Sequence, residues 1–500
     1  MKKRILAGMT AIFLSSAVLA GCGNTETEGT KQDSQTESEN IGAGDGTGES
    51  EGTEQPDGSE GQAPGDEQSD TVSQGGDSQE ELVLRDAVMK NLGCRVGTAV
   101  TLGEIQDEKV WELVTTYFNA LTIGNELKPD AMFGYSLERC PGTEEAELNG
   151  ETIIVPKLDY SRAEAILDKV LDWNQANPDK QIKMRGHVLV WHAQTQEWFF
   201  HVDYDKNKDY VDKETMNKRL EWYIRTMLTH FTGEDSKYKD MFYGWDMVNE
   251  AVSDGTGTYR SDSENPDEPL SQDRHNNNSS WWHVYQSNEY IINAFIYANK
   301  YAPADLELYY NDYNECAFNK QQGILELLRA VKDREGEPGV GTRIDGMGMQ
   351  GHYSMASPTW SEIDTAIKRY AAVVGNVQIT ELDMKSSDGY DGSDEAKAEE
   401  YEKQADRYRL IYWVLKNDNQ RDGINITGLT FWGTADHLSW LQTGIQQSYQ
   451  SGQVSWIKDD NNVLYVRTIL LDVLAKLLCN LTVSCKQILT SHSCLAWCTT

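Results

Sequence analysis

Short runs rich in Val, Ile, Leu, Tyr and Phe alternate with longer stretches in which apolar residues return every three or four positions. Eight runs read as strands: 95–100, 119–126, 183–191, 242–250, 307–314, 346–353, 376–383 and 428–436. The stretches between them read as amphipathic helices. In 161–174, Ala163, Ile166, Leu167, Val170 and Leu171 share one face, and Ser161 is the candidate N-cap. Helices are also predicted over 222–231, 287–300, 317–332, 361–374 and 395–417. Eight strands alternating with helices fit an α/β chain folded as one (β/α)8 TIM barrel with long loops. An open doubly wound sheet is the alternative. No glycine-rich dinucleotide loop follows an early run, which weighs against it.

The two ends follow different patterns. Lys2, Lys3 and Arg4 precede the uncharged, apolar or small residues 5–20, as in a secretory signal too short for a comfortable membrane span. The run ends Leu19-Ala20-Gly21-Cys22, which resembles the bacterial lipobox. That resemblance implies a signal peptide over 1–21 and lipidation at Cys22. The expected location is the extracellular face of the bacterial cell envelope, with the membrane touched only through the lipid. An ordinary signal peptide with an incidental cysteine is the other reading. Residues 22–81 have almost no large apolar side chain, and 23–81 hold 17 Asp and Glu against Lys31 alone. Such a segment cannot bury enough surface to offset its ordering entropy, so it reads as a disordered acidic linker.

Composition narrows the function classes. With 45 Lys and Arg against 80 Asp and Glu, the net charge of −35 works against nucleic-acid binding and against docking on an anionic membrane. The 14 Trp and 24 Tyr are too many for a wholly disordered chain. Eight Cys in 500 residues are too few for a small disulfide scaffold.

Barrel chemistry gathers where strands end. The fourth run ends Trp245-Asp246-Met247-Val248-Asn249-Glu250, and the seventh Ile379-Thr380-Glu381-Leu382-Asp383. Either glutamate alone would be an ordinary solvated carboxylate. Two carboxyl groups about 5–5.5 Å apart across a barrel mouth would suit retaining glycoside hydrolysis. The third run continues Arg185-Gly186-His187-Val188-Leu189-Val190-Trp191-His192-Ala193-Gln194. His187 and His192, five apart, would face opposite sides of a strand, which disfavours a shared metal.

Together, Trp-Asp-x-Val-Asn-Glu and Ile-Thr-Glu-Leu-Asp resemble the active-site signatures of glycoside hydrolase family 10, mainly endo-β-1,4-xylanases on a (β/α)8 barrel. The resemblance implies Glu250 as acid/base and Glu381 as nucleophile. Asn249 matches the residue that binds the 2-hydroxyl of the sugar being cleaved. His352, in Gln350-Gly351-His352, and Asp383 match the pair supporting the nucleophile, with Gln350 beside them. His187, Trp191 and Gln194 match glycone contacts. Asn125 and Lys128 match part of a second glycone site, although Gly124 stands where the family often has Glu. Trp432 and Trp440 match an aromatic floor and wall, and Tyr313 an aglycone-side aromatic; Asn311 is a further polar contact. No metal and no cofactor are implied. The expected partners are xylan and xylo-oligosaccharides, and the expected state is a monomer. A β-1,4-glucanase, a non-catalytic carbohydrate-binding lipoprotein and a damaged product that does not fold are the rivals.

The barrel is expected over 82–478, with the resemblance fading after about 445. Residues 463–478 could supply the last helix but do not look like the family's. The final segment, 479–500, holds Cys479, Cys485, Cys494 and Cys498 without zinc spacing. An altered reading frame or a divergent end, and against these a genuine variant helix, are the open readings of this end.

Overall fold

The computed structural model describes residues 83–266, 270, 277–387, 394–435 and 438–441. The signal, Cys22, the linker and the cysteine-bearing tail lie outside the described residues. The eight strand runs all form. Strands β1 (Arg95–Val100), β2 (Ala120–Ile123), β3 (Lys183–Gly186), β4 (Phe242–Asn249), β5 (Glu307–Asp312), β6 (Gly346–Met349), β7 (Asn376–Lys385) and β8 (Asn425–Phe431) pair in parallel, each with the next. The pairing Arg95↔Gly428 through Thr98↔Phe431 joins β8 back to β1, so the sheet closes. A closed barrel excludes the doubly wound alternative.

Helices follow the strands on the outside: α1 (Glu108–Tyr117), α2 (Ser161–Ala176), α3 (Lys213–Thr232), α4 (Glu289–Tyr301), α5 (Phe318–Lys332), α6 (Trp360–Val374) and α7 (Asp394–Gln420). In α2 the buried residues include Ala163, Ile166, Leu167 and Val170, as the periodicity predicts, while Leu171 is half-buried. Each fully buried aliphatic side chain contributes about 1.5–3 kcal/mol. Ser161 is the first helical residue rather than the cap; Asp159 Oδ1 instead accepts from its backbone N–H at 3.0 Å and its hydroxyl at 2.6 Å. Helix α3 begins well before 222 because Asp212 accepts from Thr215 N at 2.8 Å and caps it.

Six runs end earlier as strands than the hydrophobic pattern suggests, and three of them lose half or more of their length to a break. β2 stops at Ile123, and Gly124–Lys128 turn into the short helix Pro129–Met132. β3 stops at Gly186 and strand pairing resumes only at Val190–Trp191, so alternation along one strand does not govern His187 and His192. β6 is broken by Gly351, at φ 78°, before the short strand His352–Ser354. A hairpin of Thr143–Leu148 and Glu151–Pro156 is absent from the sequence reading. Its signal was present: Asn149-Gly150, both at positive φ, joins two strand-like runs.

The barrel interior is plugged by a polar layer. Arg185, fully buried on β3, makes a two-point ion pair with Asp246 of β4 and donates from Nε to Gln378 of β7 at 3.1 Å. Gln378 donates in turn to the Tyr309 hydroxyl at 2.8 Å. Gly186 leaves room for the Trp245 indole; a Cβ there would fall within that ring.

Candidate active site

An open cleft of about 1800 Å³ lies across the C-terminal ends of the strands. Glu250 stands one residue beyond β4. Its backbone is left-handed, at φ 55°, and is held by a bond from its N–H to Asn311 O and another from Arg260 Nε to its own carbonyl, both 2.9 Å. The turn aims the carboxylate into the cleft. Oε1 accepts from Asn249 Nδ2 at 3.1 Å and Gln350 Nε2 at 3.0 Å; Oε2 accepts from the Trp191 indole at 2.9 Å.

Glu381, on β7 and 4% exposed, faces the same cleft. Its Oε1 accepts from Asn311 Nδ2 at 2.8 Å, and its Oε2 lies 3.3 Å from His352 Nε2. Asn311 Nδ2 also donates to Asn249 Oδ1 at 2.9 Å. Asn249 and Asn311 therefore form a hydrogen-bonded bridge from one carboxylate to the other. Thr380 Oγ1 donates to Asn311 Oδ1 at 2.6 Å and fixes that amide's orientation.

Burial opposes charge on Glu381. The His352 hydrogen bond, the positive fields of His187 and His352, and the Asn311 bond outweigh it and hold the carboxyl at about 2. Burial also opposes charge on His352, but Asp383, with Oδ1 2.8 Å from Nδ1, and Glu381 raise it to about 10. Asp383 Oδ2 accepts from the Trp440 indole at 2.8 Å. The row Trp440–Asp383–His352–Glu381 thus keeps a cationic imidazole against an ionised carboxylate through the neutral range.

On the β2–β3 side, Lys128 Nζ donates to Gln194 Oε1 at 3.2 Å, and Gln194 Nε2 donates to Asp130 at 2.9 Å. The ammonium lies 5.0 Å from the Trp191 ring and 6.0 Å from that of Trp432. Asn125 lines the cleft beside Lys128. His187 Nδ1 is 2.9 Å from Asp246 and its ring meets Trp432 edge-on, so this histidine joins the interior ion pair to the cleft floor. Trp440 is 46% exposed with its ring 5.1 Å from that of His352. On the β5 side, Tyr313 lies beneath the Lys320 ammonium, 4.2 Å away, and its hydroxyl accepts from Arg260 at 3.4 Å.

Every described residue named from the sequence as a site candidate therefore reaches this one cleft, except Asn311, which sits just under it and ties its two carboxylates together. Three others were missed. Arg260 is 2% exposed and braces the Glu250 and Val252 carbonyls from the loop after β4, where no local motif marks it. Asp246 and Asp130 orient His187 and Gln194; a charged residue inside a predicted apolar run was the available signal for Asp246, whereas Asp130 lies four residues past the second run and had none. Away from the cleft, Asp364, Asp418 and Asp422 lie close enough to share a cation, and Lys368 Nζ sits among them, 2.8 Å from Asp364 and from Asp422.

The family model described as glycosyl hydrolase family 10 matches residues 84–459. The chain belongs to that family. A relative, endo-1,4-beta-xylanase Y of Acetivibrio thermocellus, is 31% identical over 74% of this chain and 31% of its own length. Endo-1,4-beta-xylanase B of Butyrivibrio fibrisolvens is 32% identical over 69% of this chain and 47% of its own. The chain thus spans about a third to a half of the length of these two relatives. Endo-1,4-beta-xylanase B of Paenibacillus barcinonensis is 30% identical over 69% of this chain and is itself 86% covered. Among solved family 10 structures, the Clostridium thermocellum endo-1,4-beta-D-xylanase 10B CBM22-1–GH10 modules, complexed with xylohexaose, superpose with a TM-score of 0.57. The identity is 30%, covering 72% of this chain and 63% of that one.

Proposed function

We propose that this family 10 chain is an endo-β-1,4-xylanase that hydrolyses the xylan backbone with retention of configuration. The observation that carries the reading is the bridged carboxylate pair, one member of which is held ionised in a buried position. Glu381 acts as nucleophile: its ionised Oε attacks the anomeric carbon while Glu250, protonated, gives its proton to the departing glycosidic oxygen. Glu381 loses its charge in the glycosyl ester, and Asp383 keeps the neighbouring imidazolium balanced at that moment. Water then attacks the ester. Glu250 takes the water's proton, and Glu381 leaves as the free carboxylate. Asn249 positions the 2-hydroxyl side of the cleaved sugar, and Lys128, Gln194, His187 and the Trp191, Trp432 and Trp440 rings receive the sugars before it. Xylan and xylo-oligosaccharides are the substrates. The named relatives support this choice, being xylanases, one of them seen with xylohexaose.

The deciding experiment is incubation with xylan followed by proton NMR of the freshly released reducing ends. Initial accumulation of the β-anomer is expected. Initial α-anomer, or release from cello-oligosaccharides but not xylo-oligosaccharides, would overturn the reading. The lipid anchor at Cys22, the extracellular envelope location and the monomeric state belong to the same proposal. Loss of membrane association in a Cys22→Ser variant, and sedimentation of the purified chain, test them.

A further inference from the structure

Glu250 sits on backbone that has left the sheet. Pairing of β4 with β5 ends at Asn249↔Asn311, so the peptide groups of residues 250–254 need other partners. Three successive carbonyls find them on two buried cations. Glu250 O accepts from Arg260 Nε at 2.9 Å, Ala251 O from Arg260 N at 2.8 Å, and Val252 O from Lys320 Nζ at 2.7 Å. The Ala251 N–H, next to the left-handed Glu250, donates to the Tyr310 hydroxyl at 3.0 Å.

Tyr310 and Lys320 belong to one network between β5 and α5. Tyr310 and Asp312 are two apart on β5 and so share a face, opposite to that of Asn311, which ties the two carboxylates together. The Tyr310 hydroxyl donates to Asp312, and Asp312 Oδ1 lies 3.0 Å from Lys320 Nζ. Lys320 also donates to Asp254 at 2.9 Å, at the far end of the turn. Tyr310 and Asp312 are wholly buried, and Lys320 is 2% exposed. None of the three lines the cleft.

Folding alone gives little reason for this lysine. It is the third residue of α5, at the helix end where the dipole disfavours a cation, and burial strips its hydration. Buried ion pairs stabilise no better, on balance, than apolar side chains of the same volume. What the network supplies is direction. A hydroxyl and an ammonium, each fixed by Asp312, grip the two residues that follow Glu250.

We propose that Tyr310, Asp312 and Lys320 are positioning residues that act through Ala251 and Val252, fixing the turn that aims the Glu250 carboxyl at the glycosidic oxygen. The proposal rests on the reading above that Glu250 is the acid/base. Tyr310→Phe removes only the hydroxyl. Lys320→Met combined with Asp312→Asn removes both charges, so that neither is left buried alone. In the full chain, each variant should lower kcat/KM on phenyl β-xylobioside, whose leaving group needs a proton, by about 10- to 100-fold. On dinitrophenyl β-xylobioside, whose leaving group needs none, the change should stay within about twofold. A role in folding alone would lower both substrates together. A second readout needs no turnover. The Trp191 indole donates to Glu250, so its nitrogen–proton NMR resonance, assigned with Trp191→Phe, should move in both variants. Equal losses on the two substrates, no loss on either, or an unmoved Trp191 resonance would overturn the positioning role. If Glu250→Ala instead loses both substrates equally and azide restores nothing, the acid/base assignment fails, and the Trp191 resonance still decides whether these three residues hold the turn.

Discussion

His352→Ala tests the electrostatic logic of the site most directly. A carboxyl held at about 2 instead of its ordinary 4.5 is favoured in its charged form by about 3 kcal/mol. After the opposing effect of burial, the His352 hydrogen bond is the largest contributor to that preference. Removing the imidazole leaves the burial in place, with Asn311 and His187 to resist it. The carboxyl should rise by about 1–3 pH units. The assay is kcat/KM on an activated aryl β-xylobioside, whose acid limb reports a group that must be ionised in the free enzyme. In the unsubstituted protein that limb should lie near the acid-unfolding range; in the variant it should move into pH 3–5, roughly. Circular dichroism at each pH keeps unfolding apart from titration. A folded variant with an unmoved acid limb would refute the reasoning. The same groups both stabilise the fold, with opposite dependences on pH. Glu381, lowered on folding, contributes above its ordinary 4.5 and loses that contribution as pH falls towards about 2. His352, raised on folding from 6.5, contributes fully below 6.5 and loses it as pH rises through about 10.

Asp383→Asn should leave His352 a weaker base and bring a new alkaline limb into the kcat/KM profile below pH 10, read on the same substrate. Arg185→Met should destabilise the barrel by about 3–5 kcal/mol, because it strands the fully buried Asp246; urea denaturation measures it. Gly186→Ala should cost about 1–3 kcal/mol or more, since the added methyl meets the Trp245 indole with no space to retreat; the midpoint of thermal unfolding reports it.

The barrel was legible because its strands are short apolar-rich runs and its helices carry a regular apolar stripe, signals that survive without tertiary knowledge. The interruptions at His187–Leu189 and at Gln350–Gly351 were not, because the interrupting residues are as buried as the strands and pairing resumes after two or three of them, so each run reads as continuous. The carboxylates and the cleft aromatics were legible as motifs at strand ends. The groups that orient them from a distance in sequence were not. Arg260 reaches Glu250 from ten residues on, and Asp130 reaches Gln194 from sixty-four residues before it. Pairings of that kind are made by the closing of the sheet, and no local pattern records them.

Glu250 occupies a backbone conformation that glycine adopts without penalty and that other residues take at a cost of about 1–2 kcal/mol. Glycine at this one position would relieve that strain and, by the same substitution, take the carboxylate out of the cleft. Folding stability and the proposed chemistry therefore pull this single residue in opposite directions.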